Sequence, residues 1–412
     1  MVVYENDLAG GENMHNTRKV TDDIIWVGCN DRRLAMFENI FPLQNGVSYN
    51  SYLVMDEKIT LFDTVDSNAT EQFIENIDYV LGEKSVDYLV IQHMEPDHCA
   101  NIARLLRKFP EMKLVVNAKT VKMIEQFFQS VDQDRCILVK EGDTLNTGKH
   151  SFTFMMAPMV HWPEVMVTYD SYEKVLFSAD AFGTFGALNG NIFNDEVDFE
   201  KDWLHEARRY YANIVGKYGN PVQGLLKKAA GLDIQMICPL HGPVWRSELG
   251  YFIEKYDKWS KYEPEDKGVV IIYGSIYGHT EAAANALATK LAIKGVKKIK
   301  VYDVSKTHVS DLIAEIFRVS HIVFACSTYN GGIYPPMHNL LADMKALSVQ
   351  NRTVAIMANG TWVPVVGGLM NKELEEMKNM NILDMKLSML SALANDREEE
   401  LDLFAQQIVD AM

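Results

Sequence analysis

The chain has 412 residues, of which 48% are hydrophobic and 23% are charged. This length exceeds what one hydrophobic core normally holds and predicts two domains, while the composition excludes a disordered or a fibrous chain. The formal net charge of −16 argues against nucleic acid and anionic membranes as partners, because both carry charge of the same sign.

The five cysteines are far apart in the sequence and form no C-x-x-C pair. An odd number at such spacing encodes neither a disulfide framework nor a rubredoxin or zinc-ribbon module, and it indicates a reducing compartment. Residues 1–20 contain charges and glycines where a secretory signal needs an apolar stretch, and no run reaches the ~18 apolar residues of a membrane span. These features predict a cytoplasmic protein.

Between about residues 24 and 240 the sequence alternates short β-branched runs with turns and a few helical stretches. The predicted strands cover 48–54, 59–62, 88–92, 113–116, 152–156, 165–169 and 175–177. The predicted helices cover 69–81, 99–109 and 200–215. This mixture indicates a layered α/β arrangement in which the helices cover the faces of the sheets.

The composition shifts across residues 251–267, where charged and aromatic residues give way to a polar stretch containing Pro264. We place the domain boundary at Glu265, which gives domains 1–264 and 265–412. Beyond it, strands are predicted at 269–273, 299–302, 321–325 and 353–357, and helices at 280–293, 308–317, 337–345 and 364–377. This regular alternation predicts a doubly wound parallel sheet.

A dense group of possible metal ligands follows the predicted strand 88–92, at the kind of strand end where α/β proteins commonly place sites. Burying two histidines and two carboxylates together is costly without a cation. Single candidates follow later apolar runs, and each of them alone is more often a cap or a core polar group. The dense group is His93, Glu95, Asp97 and His98, and the single candidates are His161, Asp180 and His241.

This order of ligands resembles the H-x-[EH]-x-D-H pattern, followed by distant His, Asp and His, of the metallo-β-lactamase fold. That fold is an αββα sandwich with a dinuclear site, and the resemblance covers about residues 20–260. Its hydrolases usually carry a third-position histidine and bind zinc, whereas Glu95 here makes the ligand set richer in oxygen and favours iron. This departure is the mark of the flavodiiron proteins.

The resemblance implies a ligand set of two irons. In that set His93, Glu95 and His161 bind the first iron, Asp97, His98 and His241 bind the second, and Asp180 bridges them together with an oxo or hydroxo group.

The predicted strand 269–273 leads into Gly-Ser-Ile-Tyr-Gly-His-Thr and then a helix, so that hydroxyl and N–H groups converge on a site suited to a phosphate. This segment resembles the flavodoxin phosphate loop S/T-x-x-G-x-T, although an ordinary capped helix explains it equally well on its own. Two further loops follow the strands at 321–325 and 353–357, where Tyr329 and Trp362 could flank a flavin ring. The lack of a G-x-G-x-x-G fingerprint favours FMN over FAD or NAD.

The resemblance to flavodoxin covers about residues 267–410. The residues predicted to bind FMN are Ser275, Ile276, Tyr277, Gly278, His279, Thr280, Ser327, Thr328, Tyr329, Asn330, Gly331, Gly332, Asn359, Gly360, Thr361 and Trp362. Both halves of the chain therefore resemble a flavodiiron protein, which implies reduction of dioxygen to water or of nitric oxide to nitrous oxide.

The family places a tyrosine after the bridging aspartate, and Tyr210 is the expected counterpart, with Tyr211 as the alternative. Some relatives also carry a histidine from an early loop into the pocket. The corresponding stretch Phe37-Glu38-Asn39 has none, which leaves the preferred gas open.

The family pairs subunits head to tail, bringing one subunit's FMN to its partner's irons, so a homodimer or a tetramer is implied. The sequence encodes no rubredoxin or reductase module, and we expect an external donor such as rubredoxin or an NADH-dependent reductase. Two other hypotheses stay open. One is a dinuclear zinc hydrolase with an appended flavodoxin domain, and the other is an electron-transfer flavoprotein with a structural metal site.

Overall fold

A computed structural model describes residues 15–128 and 131–412. The chain divides into two compact units. One comprises the residues up to Ala207 together with Gly224–Ile253, and the other comprises Arg208–Gln223 and Glu254–Met412. The domain boundary at Glu265 remains a prediction from the sequence.

The first unit contains a seven-stranded sheet and a five-stranded sheet. In spatial order the larger sheet consists of Arg18–Lys19, Ile24–Trp26, Tyr52–Val54, Thr60–Phe62, Tyr88–Val90, Lys113–Val116 and Cys136–Leu138. The smaller sheet consists of Thr144–Asn146, Ser151–Met156, Met166–Asp170, Val175–Phe177 and Met236–Cys238. The Phe62 ring of the larger sheet stacks on the Phe177 ring of the smaller one, with 4.0 Å between centroids. The two sheets therefore pack face to face through aromatic side chains.

The strand pairing brings the candidate ligands to the same edges. Tyr88–Val90 lies parallel to both Thr60–Phe62 and Lys113–Val116, and His93 follows its carboxyl end. In the other sheet Met236–Cys238 lies parallel to Val175–Phe177. Because parallel neighbours end at the same edge of a sheet, the segments that carry Asp180 and His241 emerge side by side.

The predicted strand 48–54 is two strands in the structure. Val47–Tyr49 pairs with Cys29–Asp31, whereas Tyr52–Val54 belongs to the larger sheet. The interruption falls at Asn50, whose side-chain amide donates hydrogen bonds to the carbonyl groups of Pro239 and Gly242 at 2.9 and 2.8 Å. A separate hairpin is formed by Met36–Phe37 and Phe41–Pro42.

The α-helices between residues 70 and 260 are Thr70–Leu81, Pro96–Cys99, Ile102–Lys108, Ala118–Phe127, Phe199–Asp202, Leu204–Tyr210, Gly219–Ala229 and Leu249–Ser260. The predicted helix 200–215 corresponds to two short α-helices that continue into a π-helix at Tyr211–Val215. In the described part of the chain, no helix has both the length and the apolar composition that crossing a membrane requires.

The second unit contains the predicted doubly wound sheet. Its parallel strands lie in the order Ile299–Asp303, Asp266–Gly274, Val319–Tyr329 and Arg352–Asn359, and the last of these pairs with both Met380–Ile382 and Leu387–Met389. The short strand Gly332–Ile333 pairs with Val319–Tyr329 in the antiparallel sense. The helices of this unit include His279–Ile293, Val309–Arg318, Pro335–Ala346, Val366–Glu375 and Glu398–Asp410. The first strand in the chain lies second in the sheet, which is the flavodoxin-like order.

Candidate metal centre and flavin pocket

The seven predicted metal-binding side chains come together in two groups, and all of them are buried. The ligand atoms within each group lie within 4.8 Å of one another. The first group is His93, Glu95, His161 and Asp180, and the second group is Asp97, His98 and His241.

The atoms of the first group are spaced like the ligands of one ion. Nε2 of His161 lies 3.2 Å from Oε2 of Glu95 and 3.1 Å from Oδ2 of Asp180. Nε2 of His93 lies 3.2 Å from the same Glu95 oxygen. Metal–ligand distances of about 2.0–2.2 Å place neighbouring ligands about 2.9–3.5 Å apart, so a single ion fits between these atoms.

The second group has the same spacing. The Nε2 atoms of His98 and His241 are 3.1 Å apart, and Oδ2 of Asp97 lies 3.4 and 3.3 Å from them. Oδ1 of Asp180 lies 3.2 Å from Nε2 of His98. Asp180 therefore presents Oδ2 to the first group and Oδ1 to the second, which is the arrangement of a bridging carboxylate.

Several buried polar atoms of the two groups have no hydrogen bond among the described residues. They are both carboxylate oxygens of Asp97, Oδ1 of Asp180 and Nδ1 of His98. Buried polar atoms are normally satisfied, and leaving them unpaired is costly. Cations held by each group would satisfy the carboxylate oxygens, so the donor set fits a pair of metal ions.

The pKa shifts of the candidate ligands also indicate that the two groups suit cations. Burial alone would lower the pKa of His161 and of His98, but neighbouring carboxylates raise each pKa to about 9. Burial favours a raised pKa for Asp180, yet His98 and His161 hold it well below its usual value. In the metal-free site protonated imidazoles thus supply the positive charge, and metal ions would displace those protons.

Hydrogen bonds from Nδ1 orient the rings of two of the histidines. Nδ1 of His93 donates to Oε1 of Glu164 at 2.8 Å, and Nδ1 of His241 donates to the backbone carbonyl of Ser48 at 2.7 Å. These bonds leave Nε2 of each ring facing its group. Sequence reasoning missed both partners. Glu164 follows His161 in the same loop, which is a weak signal, and Ser48 acts through its backbone and gives no side-chain signal.

The hairpin formed by Met36–Phe37 and Phe41–Pro42 borders both metal-ligand groups. The Phe37 ring packs edge to face on the His241 ring, with 5.4 Å between centroids. Glu38 is exposed, yet partial desolvation, together with the adjacent Glu95 carboxyl, raises the pKa of Glu38 to about 8. The loop that lacks a histidine therefore places a carboxyl group beside the metal ligands.

Tyr210 and Tyr211 are fully buried where the helix Leu204–Tyr210 meets the π-helix. Both are grouped with the second unit. The Tyr211 ring contacts the rings of Tyr256 and Trp259, with centroids 5.0 and 5.3 Å away, and so belongs to an aromatic core. Neither tyrosine is a member of the two groups, and the role of Tyr210 stays a prediction.

A cavity of about 310 Å³ lies at the carboxyl ends of the central strands of the second unit. It is lined by the residues predicted to bind FMN, apart from Gly278 and Gly332, and additionally by Val363 and Ser391. Gly278 instead caps the helix His279–Ile293 with a φ of 91°, a conformation that favours glycine. Val363 and Ser391 were missed because neither belongs to a recognisable motif.

Hydrogen bonds join the loops around this cavity. Oγ1 of Thr280 lies 2.8 Å from Oγ of Ser327 and accepts a bond from the amide of Asn359 at 3.0 Å. Oδ1 of Asn359 is buried without a partner among the described residues. The side chains of Tyr277 and Trp362 are 90% and 86% exposed. An unsatisfied polar atom and two exposed aromatic faces fit a planar, polar ligand such as a flavin.

A two-sheet sandwich with paired metal-ligand groups, joined to a flavodoxin-like sheet, defines a class of flavoprotein oxidoreductases. Comparison with known families agrees. A model described as ODP family beta lactamase matches residues 47–242, and the flavodoxin model matches residues 271–393.

Individual proteins are also similar to this chain over most of its length. An anaerobic nitric oxide reductase flavorubredoxin of Klebsiella pneumoniae is 31% identical over 348 residues, covering 83% of this chain and 71% of the relative. An uncharacterized protein of Methanocaldococcus jannaschii is 31% identical over 84% of this chain and 86% of its own length. The solved structure of rubredoxin oxygen:oxidoreductase from Desulfovibrio gigas is 30% identical and covers 96% of this chain and 98% of its own, with a TM-score of 0.88.

The chain belongs to the flavodiiron protein family. It is therefore a flavoprotein and an oxidoreductase, and the predicted fold class, a metallo-β-lactamase-like sandwich followed by a flavodoxin-like sheet, is confirmed.

Proposed function

We propose that the chain reduces dioxygen to water or nitric oxide to nitrous oxide at a pair of irons, with FMN passing on electrons from an external donor such as rubredoxin. The observation that carries the proposal is the sharing of Asp180 between two groups of buried ligands. The names of the similar proteins, a nitric oxide reductase and a rubredoxin oxygen:oxidoreductase, support the same two gases.

The donor set supports iron. The two groups offer four imidazoles and three carboxylates and no thiolate, and such an oxygen-rich set suits iron better than a set of softer ligands would. Cys99 lies next to His98 in the sequence, but its thiol donates to the carbonyl of Met94 at 3.2 Å. Burial raises the pKa of Cys99 above its usual value. The thiol is directed at the Met94 carbonyl, and Cys99 is a member of neither metal-ligand group.

When bound, two irons and one FMN supply up to four electrons, which is the number that dioxygen needs to form two waters, and two electrons suffice for two molecules of nitric oxide. The chain's own residues hold and orient these groups. Asp180 would be a ligand of both metal ions, and the hydrogen bonds from Nδ1 of His93 and of His241 fix the direction of their Nε2 atoms. The Glu38 carboxyl borders the site and is available to exchange protons with it.

The flavin pocket supports FMN. Its volume of about 310 Å³ is at the small end of the roughly 300–1,000 Å³ typical of ligand sites. The turn before the helix His279–Ile293 supplies hydroxyl and N–H groups suited to one terminal phosphate. Tyr277 and Trp362 offer aromatic faces for the ring.

Assembly and electron supply belong to the same proposal. We expect a head-to-tail homodimer, or a tetramer made of two such dimers, because electrons must reach the irons of one subunit from a nearby flavin. The exposed Tyr277 and Trp362 beside the pocket provide an apolar contact for whichever protein delivers or accepts electrons there.

The test is to purify the protein anaerobically, to measure iron, zinc and FMN per chain, and to follow gas consumption with reduced rubredoxin. We expect about two irons and one FMN per chain and consumption of dioxygen or nitric oxide. Stoichiometric zinc with hydrolysis of a lactam or a thioester would favour the zinc hydrolase instead. Bound iron that leaves both gases untouched would favour a structural metal site.

A further inference from the structure

Three of the four histidines of the metal centre differ in what Nδ1, the ring nitrogen that faces away from the group, contacts. Nδ1 of His93 donates to a carboxylate, that of Glu164, while Nδ1 of His241 donates to a neutral carbonyl oxygen. Nδ1 of His98 has no hydrogen bond among the described residues. The first group thus has a carboxylate hydrogen-bonded directly behind one of its ligands, and the contacts described for Nδ1 of His98 and of His241 include no carboxylate.

Glu164 is held firmly in this position. Its side chain is fully buried, and Oε1 accepts a second hydrogen bond from the backbone N–H of Met94 at 2.9 Å. Its own carbonyl group accepts a hydrogen bond from the side-chain amide of Asn117 at 2.6 Å. The Trp162 ring meets the His93 ring edge to face, with 5.3 Å between centroids. The imidazole is therefore constrained both at its rear nitrogen and on its side.

We propose that Glu164 is a positioning residue that fixes Nε2 of His93 toward the first metal position and makes that position the tighter of the two. This inference rests on the proposed metal pair. A carboxylate behind a ligating imidazole selects the tautomer, fixes the ring and strengthens the nitrogen as a ligand, and removing such a partner typically lowers metal affinity about 10- to 100-fold.

The chain provides a matched control in the His150–Asp170 pair. Nδ1 of His150 lies 2.7 Å from Oδ2 of Asp170, and both side chains are fully buried, as in the His93–Glu164 pair. Neither residue belongs to the two metal-ligand groups. Loss of this carboxylate disturbs a buried imidazole to a similar degree without touching the metal centre.

The test is an anaerobic titration of the metal-free, FMN-loaded protein with Fe²⁺ in competition with a chelator, on wild type, Glu164→Leu, Glu164→Gln and Asp170→Asn. We expect two binding steps in the wild type and an affinity of the tighter step lowered about 10- to 100-fold in Glu164→Leu. Glu164→Gln should recover part of the loss, because an amide oxygen still accepts both hydrogen bonds. Asp170→Asn should bind as the wild type does.

A second titration assigns the step. In a His241→Ala background, which retains the complete first group, we expect one tight step that Glu164→Leu weakens by the same factor. Retained FMN and an unchanged circular dichroism spectrum show that a variant is folded. If Glu164→Leu fails this control, Glu164→Gln is used instead, and we expect a smaller loss of Fe²⁺ affinity in the same binding step. A wild type that binds no Fe²⁺ would overturn the metal pair itself. Two steps in the wild type with unchanged affinities in the folded Glu164 variants would overturn this inference alone.

Discussion

The Nε2 atoms of His98 and His241 lie 3.1 Å apart. Nδ1 of His241 donates to the Ser48 carbonyl, so a neutral His241 directs a lone pair at the other ring. Two lone pairs at this distance repel each other unless a proton or a metal ion lies between the rings. A proton on Nε2 of His98 satisfies this geometry in the metal-free protein, and a metal ion bound by both nitrogens would replace that proton.

Replacing His241 by alanine should remove the metal from the second group only. We expect the iron content to fall from about two to about one per chain, because the second group keeps only Asp97, His98 and the shared Asp180. Elemental analysis of the purified variant measures this. His150→Gln, which alters a buried imidazole outside the two groups, should retain both irons, and an equal loss in that variant would show a general effect of instability.

Asp180→Ala should affect both metal positions. The carboxylate lies 3.1 Å from Nε2 of His161 and 3.2 Å from Nε2 of His98, so its removal takes one ligand from each group. We expect iron content well below two per chain and loss of gas reduction, while FMN remains bound and is still reduced by the donor. The loss of flavin absorbance on adding the reduced donor is the internal control, because it shows that the variant's FMN is still reduced. Full gas turnover by this variant would exclude a bridging role for Asp180.

Thr280→Ala should weaken FMN binding. The Thr280 hydroxyl joins Ser327 and Asn359 across the flavin pocket, and a lost hydrogen bond of this kind is worth about 0.5–1.5 kcal/mol, or roughly a 2- to 12-fold change in dissociation constant. Flavin fluorescence on titrating the apoprotein measures it. Thr289→Ala, an exposed position on the same helix, should leave the affinity unchanged, and equal affinities in all three proteins would remove Thr280 from the flavin site.

The salt bridge of Glu265 should make stability depend on acid pH. Burial favours a raised pKa for Glu265, but Arg208 and Lys255 lower it from 4.5 to about 2, and its side chain is only 5% exposed. A lowered carboxyl pKa adds stability above the unfolded value, here about 3 kcal/mol in order of magnitude, and the contribution is lost as the pH falls from about 4.5 to about 2.

Urea unfolding of wild type and Glu265→Gln at several pH values measures this contribution. The variant should be less stable at pH 7, and the difference should shrink by about 3 kcal/mol as the pH falls through that window. Below about pH 2 the wild-type carboxyl is protonated, so Arg208 lacks an ionised partner in both proteins and the stability difference should become small. A stability difference that does not change with pH would contradict the salt-bridge account.

Four ligands of the candidate metal centre could be predicted from a strong local signal, and the other three from an order of residues that resembles a known family. Four ligands lie together after one apolar strand, and the remaining three each follow an apolar run. The sequence could not reveal that Val175–Phe177 and Met236–Cys238 are parallel neighbours, because pairing between distant segments has no local signal. The division of the Asp180 oxygens between the groups depends on that pairing.

Two features of the fold could not be predicted from the sequence. The composition shift across residues 251–267 serves in the sequence only to place the domain boundary, yet the first part of this segment belongs to the helix Leu249–Ser260. The buried side chains of that helix, Phe252, Tyr256 and Trp259, recur at helical spacing, but aromatic residues among many charges mask the pattern. The break at Asn50 was also missed, because it depends on hydrogen bonds to a segment far along the chain.

The most direct test of the central claim compares gas consumption by wild type and Asp180→Ala at an electrode. Both proteins carry equal FMN and receive the same reduced donor, and dioxygen and nitric oxide are offered separately. We predict rapid loss of at least one gas with the wild type, without release of peroxide from dioxygen, and almost none with the variant despite an equally reduced flavin. Equal rates for the two proteins would show that the flavin, and not a metal pair held by Asp180, reduces the gas.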